Sequence, residues 1–556
     1  MFHATVCVML TLVATSHWTV LAQPPIVTTP YGAVTGTLDQ SVYAFRGIPF
    51  AQPPLGNLRF AYTEEVTAWH PNVINGSEFQ NGCISLCPTY FFPVPPIMCT
   101  PKMSEDCLYL NVFTPELPSP QNPNPKLPVV VFMHGGQYLG GSGGVPLYDG
   151  ADLARNQKVV VVTTNYRLGV FGALYTGTAK GNFHVTDQRQ ALMFVNKVIS
   201  TFGGDPDLVT LTGQSAGAFS VATHLSSPKS WPYFHRAVMV SNPVTLLAAT
   251  PPEAMKLAKQ VLSAVNCTNT TGGDLELQCL RNVSADALLN AEGAANYDPF
   301  TDGFLSVFME WVPVVDGEEL PYQPLYALTH NQYNPIPIMF GTVANETVEY
   351  IYGAIFFPLP NNASGGDLSY EIITDALFTT AAESVRQFYG KPGGGGYQSD
   401  IRPFLSVMLT DYVFYCSNRY VGAQLTKSTP TYMWYFDKNP SYSANVYEKN
   451  MPYCVNNVCH ADDLPFIFNP FNAPLPPGYV PPTPTTEEVA LAHLMQTAWG
   501  NFARTGDPNP LPNIVFPRFD GTTNVLVNYS TPVSLLPGYR NDVCDFFDKN
   551  VGYYQV

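Results

Sequence analysis

The pentapeptide GQSAG at 213–217 is the part of the sequence with the clearest chemistry. It follows a β-type run at 208–212 and precedes a segment, 216–227, with helical character. Between a strand and a helix, Gly-x-Ser-x-Gly forms a nucleophile elbow, whose tight turn strains the serine backbone and lifts its hydroxyl clear. Such a serine attacks an ester carbonyl when a base, an orienting acid and N–H donors for the oxyanion surround it. The pattern therefore predicts Ser215 as a nucleophile of acyl transfer.

The same pattern occurs again as GGSGG at 140–144, with Ser142 at its centre. Ser142 lies in a run of glycines without a helical segment after it, which predicts a flexible loop. A pattern with three fixed positions also arises by chance, so a glycine-rich turn is the alternative at either place. The flanking strand and helix favour Ser215.

A third glycine-containing segment, HGGQY at 134–138, directly follows the apolar run VVVFM at 129–133. The sheet of an esterase presents its oxyanion-hole loop at such a place, and glycine lets the backbone approach a substrate carbonyl. An ordinary turn is the alternative. Together with the serine elbow, the segment favours a site for acyl transfer.

Several short runs of β-branched residues predict the strands that position these segments. They are apolar on both faces, as a sheet covered by helices requires. They lie at 129–133, 159–164, 208–212, 237–241 and 337–342. The segment 187–200 between them has apolar residues at helical spacing. This alternation predicts an α/β fold with a largely parallel sheet, and without a shift in composition along the chain we expect one large domain.

The composition excludes several classes of protein. The chain has 556 residues, of which 46% are hydrophobic and 12% charged, so it is not a disordered chain. Its net charge of -16 repels phosphate backbones and anionic membrane surfaces, which removes the electrostatic basis for binding nucleic acid.

The first residues resemble a secretory signal. An apolar run at 6–14 is followed by VLA at 20–22, which fits a signal-peptidase site, although the start of the chain lacks Lys and Arg. We expect residues 1–22 to be cleaved and 23–556 to form the mature domain. No later run reaches the ~18 apolar residues of a membrane span, and the C-terminus lacks the tail of a lipid-anchor signal. The sequence thus predicts a soluble protein, secreted or in the lumen of the secretory or endolysosomal pathway.

The cysteines also indicate an oxidising compartment. Ten remain once Cys7 leaves with the signal, and an even number predicts disulfides. Zinc ligation by Cys454, Cys459 and His460 is the alternative, but a zinc site needs further ligands at matching spacing, and none appears.

Several longer segments are similar to one known family. FGGDPDLVTLTGQSAG at 202–217 is similar to its serine signature, and EDCLYLNVFTP at 105–115 to its second signature around a disulfide cysteine. Further similar segments lie at 45–60, 165–172 and 499–509. On these residues the chain resembles the type-B carboxylesterases of the cholinesterase-like α/β-hydrolase family over nearly its whole mature length. The resemblance implies the α/β-hydrolase fold, with a mostly parallel central sheet covered by helices on both faces.

The resemblance also implies the acid. The matching segment is FGTVANET at 340–347, where Glu346 takes the acid's position. The family's usual Asp-Glu-Gly is Asn-Glu-Thr here, at 345–347. Glu349 is a local competitor that lies off the motif, so we expect it at the surface. Asp316 precedes a glycine and is expected to be a turn residue.

By the same resemblance His460 is the base, in CHADDLPFIF at 459–468, which is similar to the family's His-x-x-acid-Leu-Pro segment. A role in the core or at the surface is the alternative for any single histidine. The chain order Ser215, Glu346, His460 is the order expected of an α/β-hydrolase.

The implied oxyanion donors are the backbone N–H groups of Gly136, Gln137 and Ala216. Gln137 departs from the family's common Gly or Ala, and we expect its side chain to project near the acyl group and narrow the pocket. The implied disulfides are Cys267–Cys279, Cys416–Cys544, Cys107 with Cys83 or Cys87, Cys99 with the partner left over, and Cys454–Cys459 as an extra bridge beside the base.

Seven Asn-x-Ser/Thr sequons suit a secreted glycoprotein. Asn345 is expected to carry no glycan, because it adjoins the implied buried acid. The expected glycosylation sites are Asn75, Asn266, Asn269, Asn282, Asn362 and Asn528.

The implied function is hydrolysis of a small-molecule or lipid ester through an acyl-enzyme, without a metal or organic cofactor. Cholinesterases hold the quaternary ammonium with a Trp upstream of the signature cysteine, and Ile97 stands there in this chain, so choline esters are not the expected substrates. Esterase and lipase both stay open, because the stretch 83–107 is either a mobile lid or a rigid wall. The rival hypothesis is an adhesion or structural member of the fold with vestigial catalysis, although this chain retains all three triad residues.

Overall fold

The structure is a computed structural model that describes residues 23–86, 100, 102–268, 273–299, 301–355, 366–390, 400–441, 451–469 and 483–553. The expected signal peptide lies outside these ranges, as do Ile97, Cys87, Cys99, Asn269 and Asn362. No helix in the described ranges is both long and apolar enough to cross a membrane.

The strands of the described residues form one large sheet and two small ones. They are β1 (Ile26–Thr29), β2 (Gly32–Thr35), β3 (Thr37–Asp39), β4 (Val42–Pro49), β5 (Val73–Asn75), β6 (Gly82–Cys83), β7 (Met103–Ser104), β8 (Tyr109–Thr114), β9 (Leu127–Met133), β10 (Val160–Thr164), β11 (Gly204–Gln214), β12 (Arg236–Val240), β13 (Ile338–Val343), β14 (Thr431–Phe436), β15 (Val525–Tyr529) and β16 (Ser534–Pro537). The predicted strands are all present, as β9 to β13.

The large sheet has the strand order β16-β15-β14-β13-β12-β11-β9-β10-β8-β4-β3. From β10 to β15 in this order the neighbours are parallel. β16 at one edge and β8, β4 and β3 at the other are antiparallel. The prediction of a mostly parallel sheet is confirmed. The parallel strands bring their carboxyl ends to one edge, where the loops of α/β proteins build their sites.

The helices of the described residues connect and cover these strands. They are α1 (Ala151–Gln157), α2 (Gly169–Ala173), α3 (Phe183–Val198), α4 (Ala216–Leu225), α5 (Pro251–Ala264), α6 (Gly273–Asn282), α7 (Ala285–Ala294), α8 (Pro324–Thr329), α9 (Gly366–Phe378), α10 (Ala382–Tyr389), α11 (Arg402–Leu409), α12 (Cys416–Leu425), α13 (Leu464–Phe468), α14 (Thr486–Thr505) and α15 (Asn541–Asn550). The helix predicted at 187–200 is α3.

The central strands are covered on both faces. Along β9, Val129 and Val131 pack into one hydrophobic cluster, whereas Val130 and Phe132 pack into another. Because successive side chains of a strand point to opposite faces, the two clusters lie on opposite sides of the sheet. The first contains residues of α3, α4 and α12, and the second contains residues of α1, α13 and α14. The expected α/β architecture, with helices on both faces of a single domain, is confirmed.

Candidate active site

Ser215 lies in the turn between β11 and α4. Its backbone has φ 58° and ψ −124°, a combination that costs a non-glycine residue about 1–3 kcal/mol. Its N–H donates to the carbonyl of Val240 in the neighbouring β12 at 2.9 Å, which holds the strained residue against the sheet. The geometry is that of a nucleophile elbow.

Glycines next to the elbow allow unusually close backbone contacts. A β-carbon on Gly217 would lie 2.0 Å from the carbonyl oxygen of Met133. A β-carbon on Gly135 would lie 3.0 Å from the β-carbon of Ser215. A side chain at 217 would push α4 away from β9, and a side chain at 135 would push the 134–138 segment away from Ser215.

Glu346 and His460 form a buried hydrogen-bonded pair. Nδ1 of His460 donates to Oε2 of Glu346 at 2.6 Å, and the backbone N–H of Val343 donates to Oε1 at 2.8 Å. Glu346 is fully buried, at the end of β13. An ionised carboxylate only accepts, so Nδ1 carries the proton and Nε2 keeps the lone pair that a general base needs.

Two hydrogen bonds tie the loop of the acid to the loop of the base. The N–H of Asn345 donates to the carbonyl of Val458 at 3.0 Å, and the side-chain oxygen of Asn345 accepts from the N–H of Val458 at 3.0 Å. The hydroxyl of Thr347 donates to the carbonyl of Ser406 at 2.7 Å. Both departures from the family's Asp-Glu-Gly therefore take structural roles. The half-buried, engaged Asn345 fits the expectation that it carries no glycan.

Two further buried carboxyl groups, those of Glu349 and Asp463, act on His460 through their charge. Burial raises the pKa of each to about 7. The expectation that Glu349 lies at the surface is wrong: the turn after Glu346 packs inward, and its Val348 belongs to one hydrophobic cluster with Cys454 and Cys459 of the loop that carries His460.

The neighbouring acidic groups raise the pKa of His460. Burial lowers the pKa of His460, but the hydrogen bond and charge of Glu346 and the charges of Glu349 and Asp463 outweigh it. The pKa of His460 consequently lies above its ordinary value of 6.5. The imidazolium that forms when His460 takes a proton is thus stabilised in place.

The other ring nitrogen, Nε2 of His460, lies 3.0 Å from the side-chain nitrogen of Gln214. The amide of Gln214 donates to the lone pair on Nε2. No hydrogen bond joins Ser215 to His460 in the described part of the chain. Gln214 precedes Ser215 in the elbow, so the amide and the hydroxyl compete for one lone pair. Sequence reasoning missed Gln214, and its place inside the serine motif is the signal that points to it.

The segment 134–138 turns sharply after β9. Gly136 has φ 108° and Gln137 has φ 57°, so consecutive residues adopt left-handed conformations. This segment, which carries Gly136 and Gln137, lies against Ser215 at Gly135. Ala216 is the first residue of α4 and directly follows Ser215. All three implied oxyanion donors belong to segments in contact with Ser215.

A pocket of about 380 Å³, counting the space open to solvent, lies over Ser215. Most of its lining is apolar and includes Leu246, Phe308 and Phe414. Gln137 also lines the pocket, and its side-chain nitrogen donates to the carbonyl of Phe308 at 2.7 Å. The pocket suits an apolar acyl group, and Gln137 forms part of its wall.

Ser142, at the second copy of the motif, is buried, and its hydroxyl donates to the side-chain oxygen of Asn165 at 2.9 Å. The prediction of a flexible loop there is wrong, because this hydrogen bond fixes the glycine run against the core. Ser142 has a structural role.

Four disulfides occur among the described residues. They are Cys83–Cys107, Cys267–Cys279, Cys416–Cys544 and Cys454–Cys459. The choice that the sequence left open for Cys107 is settled in favour of Cys83. The Cys454–Cys459 bridge uses the thiolates that the zinc alternative needs, so that alternative is wrong.

The expected glycosylation sites differ in accessibility. Asn75, Asn266 and Asn282 are exposed. Asn528 is 8% exposed, within β15. A glycan needs an accessible side-chain amide, so Asn528 does not fit this expectation.

Comparisons with known proteins find matches that cover nearly the whole chain. Residues 23–547 match the model of the carboxylesterase family. The chain is 35% identical over 539 residues to the cAMP-regulated D2 protein of Dictyostelium discoideum, covering 95% of this chain and 93% of that protein. It is 33% identical over 496 residues to the para-nitrobenzyl esterase of Bacillus subtilis (strain 168), covering 87% of this chain and 90% of that protein. A solved structure of a PNB esterase matches with a TM-score of 0.75 and 28% identity, covering 94% of this chain and 99% of that one.

Proposed function

Because the chain belongs to the carboxylesterase family, we propose that it is a secreted serine hydrolase that cleaves carboxylic esters through an acyl-enzyme. The observation that carries this proposal is the buried Glu346–His460 pair, whose other ring nitrogen is hydrogen-bonded to Gln214 in the strained elbow that holds Ser215. The four disulfides support an oxidising compartment.

In the first step the hydroxyl of Ser215 replaces the amide of Gln214 at Nε2 of His460. Such hydrogen bonds often form only when substrate is bound. The hydroxyl proton passes to Nε2 while Oγ bonds to the ester carbonyl carbon. The imidazolium then returns the proton to the departing alkoxide, which leaves as the alcohol. Glu346 stabilises the imidazolium throughout.

In the second step water hydrolyses the acyl-enzyme. His460 takes a proton from the water, the hydroxide adds to the acyl carbon, and the proton returns to Oγ as the carboxylic acid leaves. In both steps the negative charge on the carbonyl oxygen is met by the N–H groups of Gly136, Gln137 and Ala216. One donor of this kind is worth about 10²–10³ in rate.

The proposed substrates carry apolar acyl groups, since the pocket over Ser215 is lined by Leu246, Phe308 and Phe414. Choline esters are not the proposed preference, because Ile97 stands where cholinesterases have their Trp. The net charge of -16 argues against nucleic acid as a partner.

The second candidate function is a binding protein of the same fold with vestigial catalysis. It is favoured by one observation, that Gln214 rather than Ser215 is hydrogen-bonded to His460. The D2 protein, a relative over nearly the whole chain, also has a name that states no reaction.

A fluorophosphonate probe separates the two functions. The enzyme is expected to react with one equivalent of probe and to lose this reaction in Ser215→Ala. Ser142→Ala is the matched control, since it removes the serine of the second motif and should leave labelling intact. A correctly folded wild type that takes up no probe would refute the enzymatic proposal. Hydrolysis of p-nitrophenyl esters of graded acyl length, beside a choline ester, would then define the substrate class.

A further inference from the structure

Tyr138 directly follows Gln137, whose N–H is a proposed oxyanion donor, and has no part in the proposed reaction itself. Both residues have left-handed backbones, with φ 57° at Gln137 and φ 62° at Tyr138. Residues with a β-carbon rarely adopt this conformation, and it persists only where the surrounding contacts enforce it. The contacts of this turn therefore decide where its N–H groups lie.

Hydrogen bonds to three different parts of the fold hold this turn. The side-chain nitrogen of Gln137 donates to the carbonyl of Phe308 at 2.7 Å. The carbonyl of Tyr138 accepts from the N–H of Gly169 in α2 at 2.7 Å. The third bond joins the hydroxyl of Tyr138 to Oγ of Ser220 at 2.8 Å. Of these three bonds, only the last leads to α4.

Ser220 continues this connection to the third proposed oxyanion donor. Its hydroxyl donates to the carbonyl of Ala216 at 3.0 Å. Because a serine hydroxyl has a single proton, the oxygen of Ser220 accepts from Tyr138. Burial raises the pKa of Tyr138, so this hydroxyl keeps the proton that it donates. One serine oxygen thus joins the 134–138 segment to the start of α4.

A chain of polar side chains holds Ser220 in turn. Nε2 of Gln188 donates to Oγ of Ser220 at 2.9 Å, and Nε2 of His224 lies 3.0 Å from Oε1 of Gln188. Nδ1 of His224 lies 2.9 Å from Oγ of Ser230. Burial lowers the pKa of His224 to about 3, so the ring is neutral and has one N–H. That N–H donates to Gln188, and the hydroxyl of Ser230 donates to the other ring nitrogen.

This chain of hydrogen bonds is closed to solvent. Each of its side chains is at most 1% exposed, and they are Tyr138, Ser220, Gln188, His224 and Ser230. A buried hydrogen bond that is lost is not replaced by water, and a fully satisfied buried network rigidifies its surroundings. Ser220 is consequently held in one position relative to Tyr138.

We infer that Tyr138 and Ser220 are positioning residues of the proposed oxyanion hole. Their hydrogen bond sets the distance between the N–H groups of Gly136 and Gln137 on one segment and that of Ala216 on the other. Oxyanion donors lower a barrier when they are held in place before the charge develops. This inference rests on the proposed function and extends it to two residues outside the lining of the catalytic pocket.

Steady-state kinetics of the whole protein with p-nitrophenyl butyrate test the inference. Tyr138→Phe removes the hydroxyl and keeps the ring. It should lower kcat about tenfold, because a displaced donor loses part of the roughly 10²–10³ in rate that one oxyanion donor is worth. KM should change less than twofold, since the lining of the pocket is unchanged. Ser220→Ala should have a similar effect, and the double variant should lose no more than the weaker single variant, because all three lack the same hydrogen bond.

A trifluoromethyl ketone separates positioning from a general loosening of the site. Oγ of Ser215 bonds to its carbonyl carbon, the hydroxyl proton passes to His460, and the carbonyl oxygen becomes an oxyanion that the donors must hold. The inhibition constant should rise in Tyr138→Phe by the factor by which kcat/KM falls. The acid limb of kcat/KM, which reports the pKa of His460, should stay in place. Disruption of the whole site would shift that limb and raise KM.

Tyr370→Phe is the matched control. Tyr370 in α9 is also 1% exposed, and its hydroxyl donates to the carbonyl of Gly390 at 3.1 Å. This variant should lose stability in urea unfolding, as Tyr138→Phe should, but keep the kcat and the inhibition constant of the wild type.

Unchanged kcat and inhibition constant in Tyr138→Phe and Ser220→Ala would overturn the inference while leaving ester hydrolysis intact. Losses that add in the double variant, or a shifted acid limb, would overturn it as well. Should Tyr138→Phe fail to fold, Ser220→Thr decides, because it keeps a hydroxyl and should retain the kcat that Ser220→Ala loses; equal losses in these two variants would count against the inference. A wild type that neither hydrolyses an ester nor reacts with the fluorophosphonate probe would instead refute the proposed function.

Discussion

The backbone of Ser215 allows a test of the elbow that needs no substrate. At φ 58° and ψ −124° the β-carbon of any residue except glycine meets its own backbone. Replacing Ser215 by glycine removes that conflict, whereas replacing it by alanine keeps the β-carbon and the strain. Both variants lose the hydroxyl of the proposed nucleophile, so they differ only in the β-carbon and its effect on the backbone.

The expected difference follows from two opposing terms. Relief of strain favours Ser215→Gly by about 1–3 kcal/mol. The greater freedom of glycine in the unfolded chain disfavours it by about 0.5–1 kcal/mol. The methyl group lost relative to alanine borders the catalytic pocket rather than packed core, so its removal costs little. Ser215→Gly should therefore have a free energy of unfolding about 1 kcal/mol higher than Ser215→Ala.

Unfolding in urea, followed by intrinsic fluorescence, measures this difference. Ser220 in α4 supplies the control pair, because its backbone is helical and its hydroxyl is lost equally in both variants. In a helix glycine is about 1 kcal/mol less favourable than alanine, so Ser220→Gly should be less stable than Ser220→Ala. The order of stability should reverse between the two positions. If Ser215→Gly unfolds more easily than Ser215→Ala, the elbow stores no strain and this part of the reasoning fails.

Two further predictions follow from the buried acids. The proposed mechanism requires neutral His460, so the esterase activity should fall as the pH drops through the raised pKa of His460. Glu349→Gln should lower that pKa and move the acid limb of kcat/KM to lower pH. The exposed Glu318→Gln is its control, and an unmoved acid limb in Glu349→Gln would contradict the electrostatic argument. Burial raises the pKa of Glu292 from 4.5 to about 8. Between these pH values the folded state keeps a proton that the unfolded state releases. The free energy of unfolding therefore falls by about 1.4 kcal/mol per pH unit as the pH rises. Glu292→Gln should reduce the loss of stability between pH 5 and pH 8 in urea unfolding, and an unchanged loss would refute this assignment.

The central strands of the fold could be predicted because they are buried on both faces. Strands β9 to β13 then appear as continuous apolar runs. The antiparallel flanks do not have this signature. β3 and β16 are short and largely exposed, and nothing in their composition separates them from loops. β14 carries the sequence TYMWYF, which has only one β-branched residue and so lacks the pattern from which the other strands were predicted, although its aromatic residues also favour strands.

The site could be predicted only in part from local sequence. Ser215 has a local signature because its chemistry depends on the turn that it occupies. Glu346 and His460 are 114 residues apart, and their contact exists only after folding, so the resemblance to a family was needed to identify them. Glu349 and Gln214 illustrate the part of the site that local sequence does not predict. Whether a carboxylate is buried or an amide meets an imidazole depends on packing that no local pattern records.

The order of the strands explains why the sheet fixes the position of His460 less directly than the positions of Ser215 and Glu346. Ser215 follows β11 and Glu346 follows β13, with β12 between them, so their strands are roughly 10 Å apart at a spacing of about 4.8 Å. An acid at that distance cannot reach the serine, and the imidazole of His460 fills the gap. Ser215 and Glu346, the proposed nucleophile and acid, lie close to the ends of sheet strands, but His460 lies on a loop after β14. Its position depends on the Asn345–Val458 hydrogen bonds and on the bridge that ends at the residue before it. Changes to these hydrogen bonds or to this bridge should therefore impair the proposed acylation before they weaken the fold.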